Sequence, residues 1–553
     1  MIGISKIIVT SALPYVYSTP HLGNFVGSVL PADVYANYLR MRGDDVIFIC
    51  GSDVHGTAIE IQAIREETTP EKLAKKMHEG IMELFRKYGC NFTYYGSTHT
   101  AQNKEETYAI FNALNRNGYI GEVQKELPYC NFDKMFLADR FIEGTCPVCG
   151  YESARGDQCD NCSSILDPNQ LIEPHCTICG KKEIVFKKTR NVTIRLDKLQ
   201  PRLERFAAKS SSTWSKNAVN EASKYFKEGL KERDISRHMN WGFPIPLEGF
   251  EDQVFYVWFD APIGYIGITK EWDGKKWQSY WKGKDTRLVQ FMGKDNIIFH
   301  TILFPAMLIG ADLDYVLVDT IKSYEFLNWE GKKFSKSRGV GMDLQEALSV
   351  VKNPDYWRFA LILNAPESAD ADFTTDGFVE AVNKIINGKI GNLFQRVFTL
   401  VSANEQVFDK KAPVDQQVND LLDELYKKYT GHFERIELRE ALKTVVAVAD
   451  LGNAIMSEKE PWVTAKAAKS DQQAAKEFSS VMNGLLKISY YVALTLFPFV
   501  PSSSRSALKY FGIEGDPMLK DISRAPDLKL DGAPKPIFEK LTDQQIKKIG
   551  GYS

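Results

Sequence analysis

A short apolar run, a polar loop and a long apolar segment open the chain and constrain its fold more than any other feature. Residues 6–10 are rich in β-branched side chains and predict a buried parallel strand. Residues 25–40 have the apolar spacing of a helix. The loop between them, residues 11–24, therefore joins a first strand to its helix, which is where doubly wound α/β folds bind phosphates.

This loop carries neither a G-x-G-x-x-G fingerprint nor a Walker lysine, and it ends in H-L-G-N. His21 and Asn24 supply imidazole and amide donors for phosphate, and Gly23 would let a purine lie close to the backbone. The alternative is a plain helix start, with Asn24 as the capping residue.

A second anion-binding loop is predicted far downstream, where residues 332–339 read K-K-F-S-K-S-R-G. Lys333 and Lys336 are cations beside the hydroxyl of Ser335, and the glycine allows the loop to bend around an anion. The alternative is a basic loop that is solvated at the surface and binds nothing.

Residues 45–50 predict a second buried strand, which ends in the loop G-S-D-V-H-G-T. Ligands lie at the carboxyl ends of such strands, so the carboxylate of Asp53 is placed to fix an ammonium group. The alternative is that Asp53 caps the next helix. Amphipathic helices are then predicted over residues 58–89 and 100–118.

Four cysteines in the middle of the chain form a metal-binding pattern. Cys146 and Cys149 make one C-x-x-C pair, and Cys159 and Cys162 make another, with nine residues between the pairs. Four thiolates at this spacing suit a structural Zn²⁺. The alternative is a disulfide or a thiol-redox pair, which a reducing compartment disfavours.

A third C-x-x-C pair, Cys176 and Cys179, needs two further ligands to hold a second zinc. Cys130 and Asp133 have the spacing of a degraded pair, and His175 is another candidate. The alternative is that these residues are half of a lost site, so the sequence leaves open whether one zinc or two are bound.

Residues 253–265 read as a β-branched, aromatic strand that runs into a Pro/Gly turn and a helix. Trp258 and Tyr265 would then line an apolar pocket, and aromatic edges suit the sulfur of a thioether. The alternative is ordinary aromatic core. Further core strands are predicted at residues 288–292 and 315–320.

From about residue 370 the sequence predicts helices without intervening strands, which indicates an α-helical bundle. The predicted helices are 383–401, 416–429, 437–458 and 474–496. On one of them Asn392 and Arg396 are spaced i, i+4. Trp462 follows a helix break at Pro461, where an exposed indole can stack on a nucleotide base. The alternative for all three side chains is surface packing.

Length and composition exclude several classes of protein. The 553 residues suggest three or more domains, and 44 % hydrophobic with 25 % charged residues is ordinary for a globular protein. The net charge of −2 means that any nucleic-acid contact must come from local basic patches. No apolar run is long enough to span a membrane and no signal peptide is recognisable, so we expect a cytoplasmic protein.

The two anion-binding loops, in this order and this far apart, resemble the HIGH and KMSKS signatures of class I aminoacyl-tRNA synthetases. Asn24 stands in place of the last histidine of the first signature, and Phe334 in place of the methionine of the second. The segments V-W-F-D-A-P-I-G-Y and G-K-D-N-I-I-F-H, the cysteine insertion and Trp462 are similar to methionyl-tRNA synthetases of the archaeal-like type.

The resemblance implies a Rossmann-like, doubly wound α/β catalytic domain with a zinc-binding insertion, followed by an α-helical bundle that binds the anticodon. The implied units are residues 1–120 and 231–325 for the two catalytic halves, 121–230 for the insertion, 326–372 for the linking region with the KMSKS loop, 373–530 for the bundle and 531–553 for a tail that packs on the body.

The resemblance also implies the roles of individual residues. The implied catalytic residues are His21, Asn24, Lys333 and Lys336. The implied ATP-binding residues are His21, Gly23, Asn24, Gly293, Asp295, Lys333, Ser335 and Lys336. The implied methionine-binding residues are Ala12, Leu13, Tyr15, Asp53, Trp258, Ala261, Pro262, Tyr265 and His300. The implied anticodon-binding residues are Asn392, Arg396 and Trp462.

The implied reaction is activation of methionine by ATP, followed by transfer to methionine tRNA, initiator and elongator alike. Its cofactors would be one or two structural Zn²⁺ ions, and Mg²⁺ that accompanies ATP. The expected partners are ATP, L-methionine and methionine tRNA, with no membrane. We expect a monomer, because no oligonucleotide-binding dimerisation module follows the bundle.

Two functions of other classes are also compatible with parts of the sequence. One is a zinc-dependent nucleic-acid-binding protein with an inactive α/β domain, which the retained His21, Asp53, Lys333 and Lys336 argue against. The other is a nucleotidyltransferase of the same fold that adenylylates a small metabolite, which the long helical region with Trp462 argues against. Methionine-dependent ATP–pyrophosphate exchange distinguishes all three.

Overall fold

The structure is a computed structural model that describes residues 6–137, 141–156, 159, 161–162, 164, 166–334, 339–523, 528–529 and 533–552. Ser335 and Lys336, both predicted to bind ATP, lie outside the described residues. No helix among those described is both long enough and apolar enough to cross a bilayer.

The strands, in chain order, are β1 (Lys6–Ser11), β2 (Asp45–Ser52), β3 (Tyr94–Ser97), β4 (Ile120–Cys130), β5 (Met135–Phe136), β6 (Ile142–Thr145), β7 (Ala154–Arg155), β8 (Ile172–Cys176), β9 (Ile184–Ile194), β10 (Arg233–Asp234), β11 (Ser236–Arg237), β12 (Val254–Phe255), β13 (Thr286–Gly293), β14 (Val318–Tyr324), β15 (Leu327–Trp329) and β16 (Ala371–Phe373).

The α-helices are α1 (Leu22–Asn24), α2 (Leu30–Arg42), α3 (Thr57–Arg65), α4 (Pro70–Lys87), α5 (Ala101–Arg116), α6 (Leu196–Ser210), α7 (Lys216–Glu228), α8 (Val257–Trp272), α9 (Trp277–Trp281), α10 (Phe304–Ala311), α11 (Leu344–Val350), α12 (Pro354–Leu363), α13 (Thr375–Val379), α14 (Asn392–Ala403), α15 (Gln416–Glu434), α16 (Leu438–Lys459), α17 (Pro461–Ala467), α18 (Gln472–Thr495), α19 (Pro501–Lys509) and α20 (Asp543–Gly550). Wider, π-helical turns at Phe25–Val29, Phe299–Leu303 and Glu380–Gly391 run directly into α2, α10 and α14.

Strands of the central sheet lie in the order β14-β13-β1-β2-β3, and each neighbouring pair is parallel. In this order β1 lies between β2 and β13, so the chain winds away from β1 in one direction and later returns to its other side. Ligands of doubly wound folds bind at such a switch point, outside the carboxyl ends of the strands. The predicted fold class is confirmed.

Side chains of the sheet alternate between two buried layers. Ile7 and Val9 face the core shared with α2 and α4, whereas Ile8 faces the core shared with α5, α8 and α10. Burial of one such aliphatic side chain contributes roughly 1.5–3 kcal/mol, so this alternation fixes the register of the sheet. That register sets where the loops after β1 and β13 meet.

The strand predicted to begin at residue 253 is limited to the two residues of β12, and the predicted Pro/Gly turn is wrong because that stretch already belongs to the helix α8, which begins at Val257. Long apolar runs do not distinguish a buried strand from a buried helix. The glycines that indicated a turn instead allow close helix packing. A Cβ at Gly264 would lie 3.1 Å from Thr98, and one at Gly267 would lie 2.6 Å from Asn103 at the start of α5.

The last core strand is also shifted from its predicted position at 315–320. The N–H of Val316 donates to the carbonyl of Trp281 at 2.7 Å, outside the ladder of the sheet. Pairing with β13 begins where Val318 lies opposite Leu288, and β14 continues to Tyr324. The strand therefore ends at Tyr324 and not at residue 320, and the loop that follows it begins further toward the carboxyl edge of the sheet than the sequence indicated.

The predicted insertion contains two parts with different surroundings. A long antiparallel ribbon of β4 and β9 leads to the small sheet of β6, β7 and β8, whose connecting segments carry Cys146, Cys149, Cys159 and Cys162. Helices α6 and α7 instead return to the sheet, where Leu199, Leu203 and Trp214 join the same core as Ile8. The domain boundaries at residues 120 and 230 stay predictions.

The helical region packs directly on the catalytic fold. The rings of Tyr38 on α2 and Phe433 on α15 stack with centroids 3.9 Å apart. Arg358 on α12 forms a fully buried ion pair with Asp33 on α2, at 2.7 Å. The carboxyl-terminal segment also packs on the body, because the N–H of Glu539 donates to the Tyr356 hydroxyl at 2.7 Å.

Candidate active site

His21 and Asn24 hold the first loop in place by capping the helix that begins there. The N–H of Asn24 donates to Nδ1 of His21 at 3.2 Å, and the N–H of His21 donates to Oδ1 of Asn24 at 3.1 Å. His21, not Asn24, is therefore the capping residue, and the alternative with Asn24 as the cap is wrong. The side chains of His21 and Asn24 thus lie at a helix start, where backbone N–H groups favour anions.

The protonation state of His21 follows from this contact. Burial lowers the pKa of His21 to about 4, so the ring is neutral at pH 7. Because Nδ1 accepts the Asn24 N–H, the ring proton lies on Nε2. His21 thus offers one neutral N–H donor, and the amide of Asn24, which is exposed, offers Nδ2 beside it.

Phe334, from the second signature, lies against this loop. Its ring stacks on that of His21 with centroids 4.4 Å apart and planes 7° from parallel. A Cβ at Gly23 would lie 3.3 Å from Phe334, and one at Gly341, where φ is +84°, would lie 2.3 Å from it. The glycines at both positions therefore let the two loops meet, and no larger residue would fit at Gly341 without displacing the ring.

Backbone pairing extends the contact between the two loops. The N–H of Leu344 donates to the carbonyl of Pro20 at 2.9 Å, and His21 forms a backbone bridge with Asp343. Lys333 is exposed beside this junction, and its ammonium forms no ion pair with the described residues.

The turn after β13 holds the acidic residue that was predicted to contact ribose. A Cβ at Gly293 would lie only 2.7 Å from Oδ1 of Asp295, so a larger residue there would displace this carboxylate. Burial raises the pKa of Asp295, and Nδ2 of Asn296 donates to its Oδ1 at 3.2 Å. Gly293 and Asp295 lie across the switch point from Ala12, whose N–H donates to the carbonyl of Phe291 at 2.8 Å.

Asp53 is a buried carboxylate at the end of β2 with one unpartnered oxygen. Its backbone pairs with that of Tyr15, and its Oδ1 lies out of solvent with no hydrogen bond. Burial and the nearby charge of Asp260 raise the pKa of Asp53 well above its usual range. The N-cap of α3 is Gly56, so the alternative role of Asp53 as the cap of that helix is wrong. A cationic ligand would satisfy this oxygen.

A histidine–carboxylate chain that the sequence did not predict lies beside Asp53. Nδ1 of His55 lies 2.6 Å from Oδ2 of Asp260, and Nε2 of His55 lies 2.8 Å from Nδ1 of His99. Oδ1 of Asp260 is a second buried oxygen without a partner. His55 and Asp260 stand in motifs that were singled out, but nothing in the sequence indicated that they meet.

Tyr265 and His300 form a fixed pair, as their assignment to one pocket requires. Nδ1 of His300 donates to the carbonyl of Asn296 at 2.9 Å, so Nε2 accepts from the Tyr265 hydroxyl at 3.0 Å. Burial lowers the pKa of His300 to about 4, so this pair is neutral and rigid.

Three further predicted pocket residues, Trp258, Ala261 and Pro262, lie on the first turns of α8, whereas Ala12, Leu13 and Tyr15 lie in the loop after β1. Pro262 is buried and Ala261 is half-buried, whereas the Trp258 side chain is 37 % exposed. The ring of Trp258 contacts that of Phe299 with centroids 4.6 Å apart. Helix α8, rather than a strand end, therefore brings Trp258 and Tyr265 to the sheet's carboxyl edge.

The structure brings the four predicted zinc ligands of the first cluster together. The Sγ atoms of Cys146 and Cys162 are 3.9 Å apart, and those of Cys149 and Cys159 are 3.7 Å apart. Tetrahedral zinc with Zn–S bonds of about 2.3 Å places its sulfurs roughly 3.8 Å apart. The four thiols therefore fit one structural Zn²⁺.

A second cluster joins Cys130, Asp133, Cys176 and Cys179, whose ligand atoms all lie within 4.8 Å of one another. The Sγ atoms of Cys130 and Cys179 are 3.7 Å apart, and Oδ2 of Asp133 lies 3.0 Å from Sγ of Cys176. Three sulfurs and one carboxylate oxygen are a suitable donor set for zinc. His175 is not among the grouped ligand atoms.

The three predicted anticodon-binding residues lie on one face of the bundle. Arg396 on α14 places its guanidinium over the ring of Trp462 on α17, with Cζ 5.4 Å from the ring centroid. Nδ2 of Asn392 donates to Oδ1 of Asn453 at 3.5 Å. Trp462 is half-buried, not exposed as predicted, because Arg396 and the bundle core cover part of it.

Comparison with known proteins identifies the family. Residues 7–398 match the family model of class I tRNA synthetases of the methionine type, and residues 409–550 match the anticodon-binding domain of methionyl tRNA ligase. The chain belongs to the methionyl-tRNA synthetases. It is therefore a ligase that activates methionine with ATP and transfers it to methionine tRNA.

Individual relatives match almost the whole length of the enzyme. The methionine–tRNA ligases of Pyrobaculum islandicum and Ignicoccus hospitalis are each 41 % identical to it, over 99 % of this chain and 96 % and 97 % of theirs. The Mycobacterium tuberculosis methionyl-tRNA synthetase in complex with methionyl-adenylate is 21 % identical, with a TM-score of 0.80 over 97 % of this chain and 99 % of that one. This last likeness supports the fold.

Proposed function

We propose that methionine and ATP react at the carboxyl edge of the central sheet, between the loop after β1 and the turn after β13. The methionine carboxylate attacks the α-phosphorus of ATP, the new C–O–P bond forms, and the bond to the pyrophosphate oxygen breaks. No protein nucleophile is needed, so catalysis comes from positioning and from stabilising charge on the leaving group. The support that carries this proposal is the direct contact between the two signature loops, through His21 and Phe334.

The ATP side of the site consists of neutral donors and lysine cations. Nε2–H of His21 and Nδ2 of Asn24 donate to phosphate at the helix start, and Gly23 keeps the backbone accessible to adenine. Asp295, next to Gly293, accepts hydrogen bonds from the ribose hydroxyls. Lys333, Ser335 and Lys336 hold the leaving pyrophosphate, and Mg²⁺ bound with ATP would neutralise part of its charge.

The methionine side of the site is a buried carboxylate followed by an aromatic pocket. The unpartnered oxygen of Asp53 binds the α-ammonium group. The thioether lies among Trp258, Tyr265 and His300, which are suited to a sulfur. The other residues that line this side are Ala12, Leu13, Tyr15, Ala261 and Pro262.

Each cysteine cluster is proposed to hold one zinc, two in all. Cys146, Cys149, Cys159 and Cys162 hold the first, and the cluster of Cys130, Asp133, Cys176 and Cys179 holds the second. Neither cluster is assigned a part in the reaction, and each metal would supply folding energy to the insertion.

The proposed RNA partner is methionine tRNA with the CAU anticodon, initiator and elongator alike, since both present the same triplet. Asn392, Arg396 and Trp462 read it on the bundle. The enzyme is proposed to act in the cytoplasm as a monomer, and sedimentation at about its chain mass of 62.6 kDa would support that state.

Pre-steady-state pyrophosphate exchange on Lys336→Ala and Lys333→Ala tests the catalytic roles. One charged contact to a leaving group contributes ~3 kcal/mol, so each variant should slow adenylate formation about a hundredfold while methionine binding changes little. Lys352→Ala, at an exposed lysine after α11, is the matched control and should keep the starting rate. Unchanged activation with weaker methionine binding would contradict these roles.

A further inference from the structure

The guanidinium of Arg233 lies beside the aromatic pocket without a carboxylate partner. Its Cζ is 5.1 Å from the centroid of the Trp258 ring and 5.9 Å from that of Phe299. The side chain is half-buried, and burial lowers the pKa of Arg233. Among the described residues, none forms an ion pair or a side-chain hydrogen bond with it.

The carboxylate of the neighbouring residue is already engaged by other cations. Asp234, next in the chain, accepts from Nζ of Lys125 at 2.6 Å and lies 3.6 Å from Nη1 of Arg237. Short pairing of β10 with β9 fixes the backbone of Arg233, since Arg233 lies opposite Ile194. The side chain is thus held at the pocket by its strand and not by an acidic neighbour.

The faces of the Trp258 and Phe299 rings attract the guanidinium of Arg233 in place of a carboxylate. A guanidinium within about 6 Å of a ring centroid is attracted by the negative face of the ring, more strongly where water is excluded. Arg233 meets this condition with two rings at once, and those rings also contact each other at 4.6 Å. Displacing either ring would therefore weaken two of these three contacts at once, so the positions of the two rings and of Arg233 depend on one another.

We propose that Arg233 is a positioning residue for methionine. Its guanidinium fixes Trp258 and Phe299 in the arrangement against which the thioether side chain packs, and through Phe299 it also fixes the adjacent His300. The inference rests on the proposed function, which places the methionine side chain against Trp258. Arg233 touches neither ATP nor the reacting atoms in this account.

Steady-state pyrophosphate exchange on Arg233→Met and Arg233→Lys tests this role. Arg233→Met keeps most of the packing volume but loses both ring–cation contacts, so KM for methionine should rise about tenfold. Arg233→Lys keeps the charge without the planar fork, and its KM should rise about threefold. In both variants kcat and KM for ATP should stay within about twofold, which a general structural role would not produce.

A double-mutant cycle with Trp258→Ala shows whether Arg233 acts through that ring. In the Trp258→Ala background, Arg233→Met should raise KM for methionine by less than about threefold. Of the two ring contacts of Arg233, only the one with Phe299 is then left to lose. The matched control is Arg505→Met. Arg505 makes the same kind of contact outside the pocket, with its Cζ 4.9 Å from the centroid of the Phe497 ring. This control should leave KM for methionine unchanged.

The outcomes separate this inference from the pocket assignment on which it rests. If Trp258→Ala leaves KM for methionine unchanged, the pocket assignment fails and the role of Arg233 fails with it. If Trp258→Ala raises KM but Arg233→Met does not, or Arg233→Met raises it equally in both backgrounds, this inference alone is overturned. Should Arg233→Met not fold, an unchanged KM in Arg233→Lys overturns it equally.

Discussion

His21 and Phe334 stack face to face, with ring centroids 4.4 Å apart, and so join two loops from opposite ends of the catalytic fold. The edge of Trp329 meets Phe334 from another side, at 5.9 Å between centroids. Because Nδ1 of His21 is held by the Asn24 N–H, the stack also fixes the direction of Nε2–H. One aromatic contact thus couples the position of the lysine loop to the phosphate donor of the helix start.

Replacing Phe334 should therefore impair activation more than binding. Phe334→Ala removes a stack of the kind that contributes about 0.5–1.5 kcal/mol, so kcat for pyrophosphate exchange should fall about three- to tenfold. KM for methionine should stay nearly constant, because the pocket lies on α8. Phe132→Ala, at an exposed phenylalanine of the insertion, is the control. Equal effects of both variants would show that the stack has no special role.

Asp53→Asn should abolish the charge that holds the methionine ammonium group. A charge-assisted hydrogen bond contributes about 1.5–3 kcal/mol, so KM for methionine should rise roughly ten- to a hundredfold, with KM for ATP unchanged. Exchange kinetics on the isosteric variant measure this directly. A variant with normal KM for methionine would require another partner for the ammonium group.

The pH dependence of methionine binding follows from the raised pKa of Asp53. The fold favours the protonated form of Asp53, because the pKa of this carboxyl is raised. The free energy of unfolding therefore falls as pH rises through the folded-state pKa and Asp53 ionises. Methionine binding requires the ionised form, so KM should begin to rise at a higher pH than for an exposed aspartate as the solution is acidified. In Asp53→Asn this limb should disappear, and the melting temperature of the free protein at pH 7 should increase.

Zinc content should divide between the two cysteine clusters. Elemental analysis of the purified protein should find about two equivalents, and Cys146→Ser and Cys176→Ser should each lose about one. Because metal binding at such sites is folding energy, each variant should also melt earlier. Metal-free protein with all these thiols titratable would contradict the zinc assignment, and loss of both metals in either variant would show one coupled site.

The sequence predicted the elements whose signals are local. The β-branched run before the first loop, the C-x-x-C pairs and the helical spacing around Asn392 each carry their own pattern over a few residues. The first turns of helix α8 were read as a strand and a turn, because their buried, uniformly apolar residues show neither the strand period nor the helix period clearly. Its glycines serve close packing on Thr98 and Asn103, a tertiary fact that no local pattern encodes.

Contacts between distant residues account for the rest of what the sequence could not provide. His55 and Asp260 meet across the sheet edge although they are 205 residues apart in the chain, so no local sequence pattern predicts their contact. Phe334 was noticed as a departure from a methionine, yet its ring is what contacts His21. Likewise Trp462 was expected to be exposed, and only the fold shows that Arg396 covers it.

In the proposed division of labour, the sheet edge activates methionine and the bundle reads the anticodon. Trp462→Ala tests it most directly, through the ratio of tRNA aminoacylation to methionine-dependent pyrophosphate exchange. Since a stacked base contributes roughly 1–3 kcal/mol, aminoacylation should fall about ten- to a hundredfold while exchange stays within about twofold. If exchange and aminoacylation fall together, Trp462 has only a structural role in the bundle and the proposed division of labour is wrong.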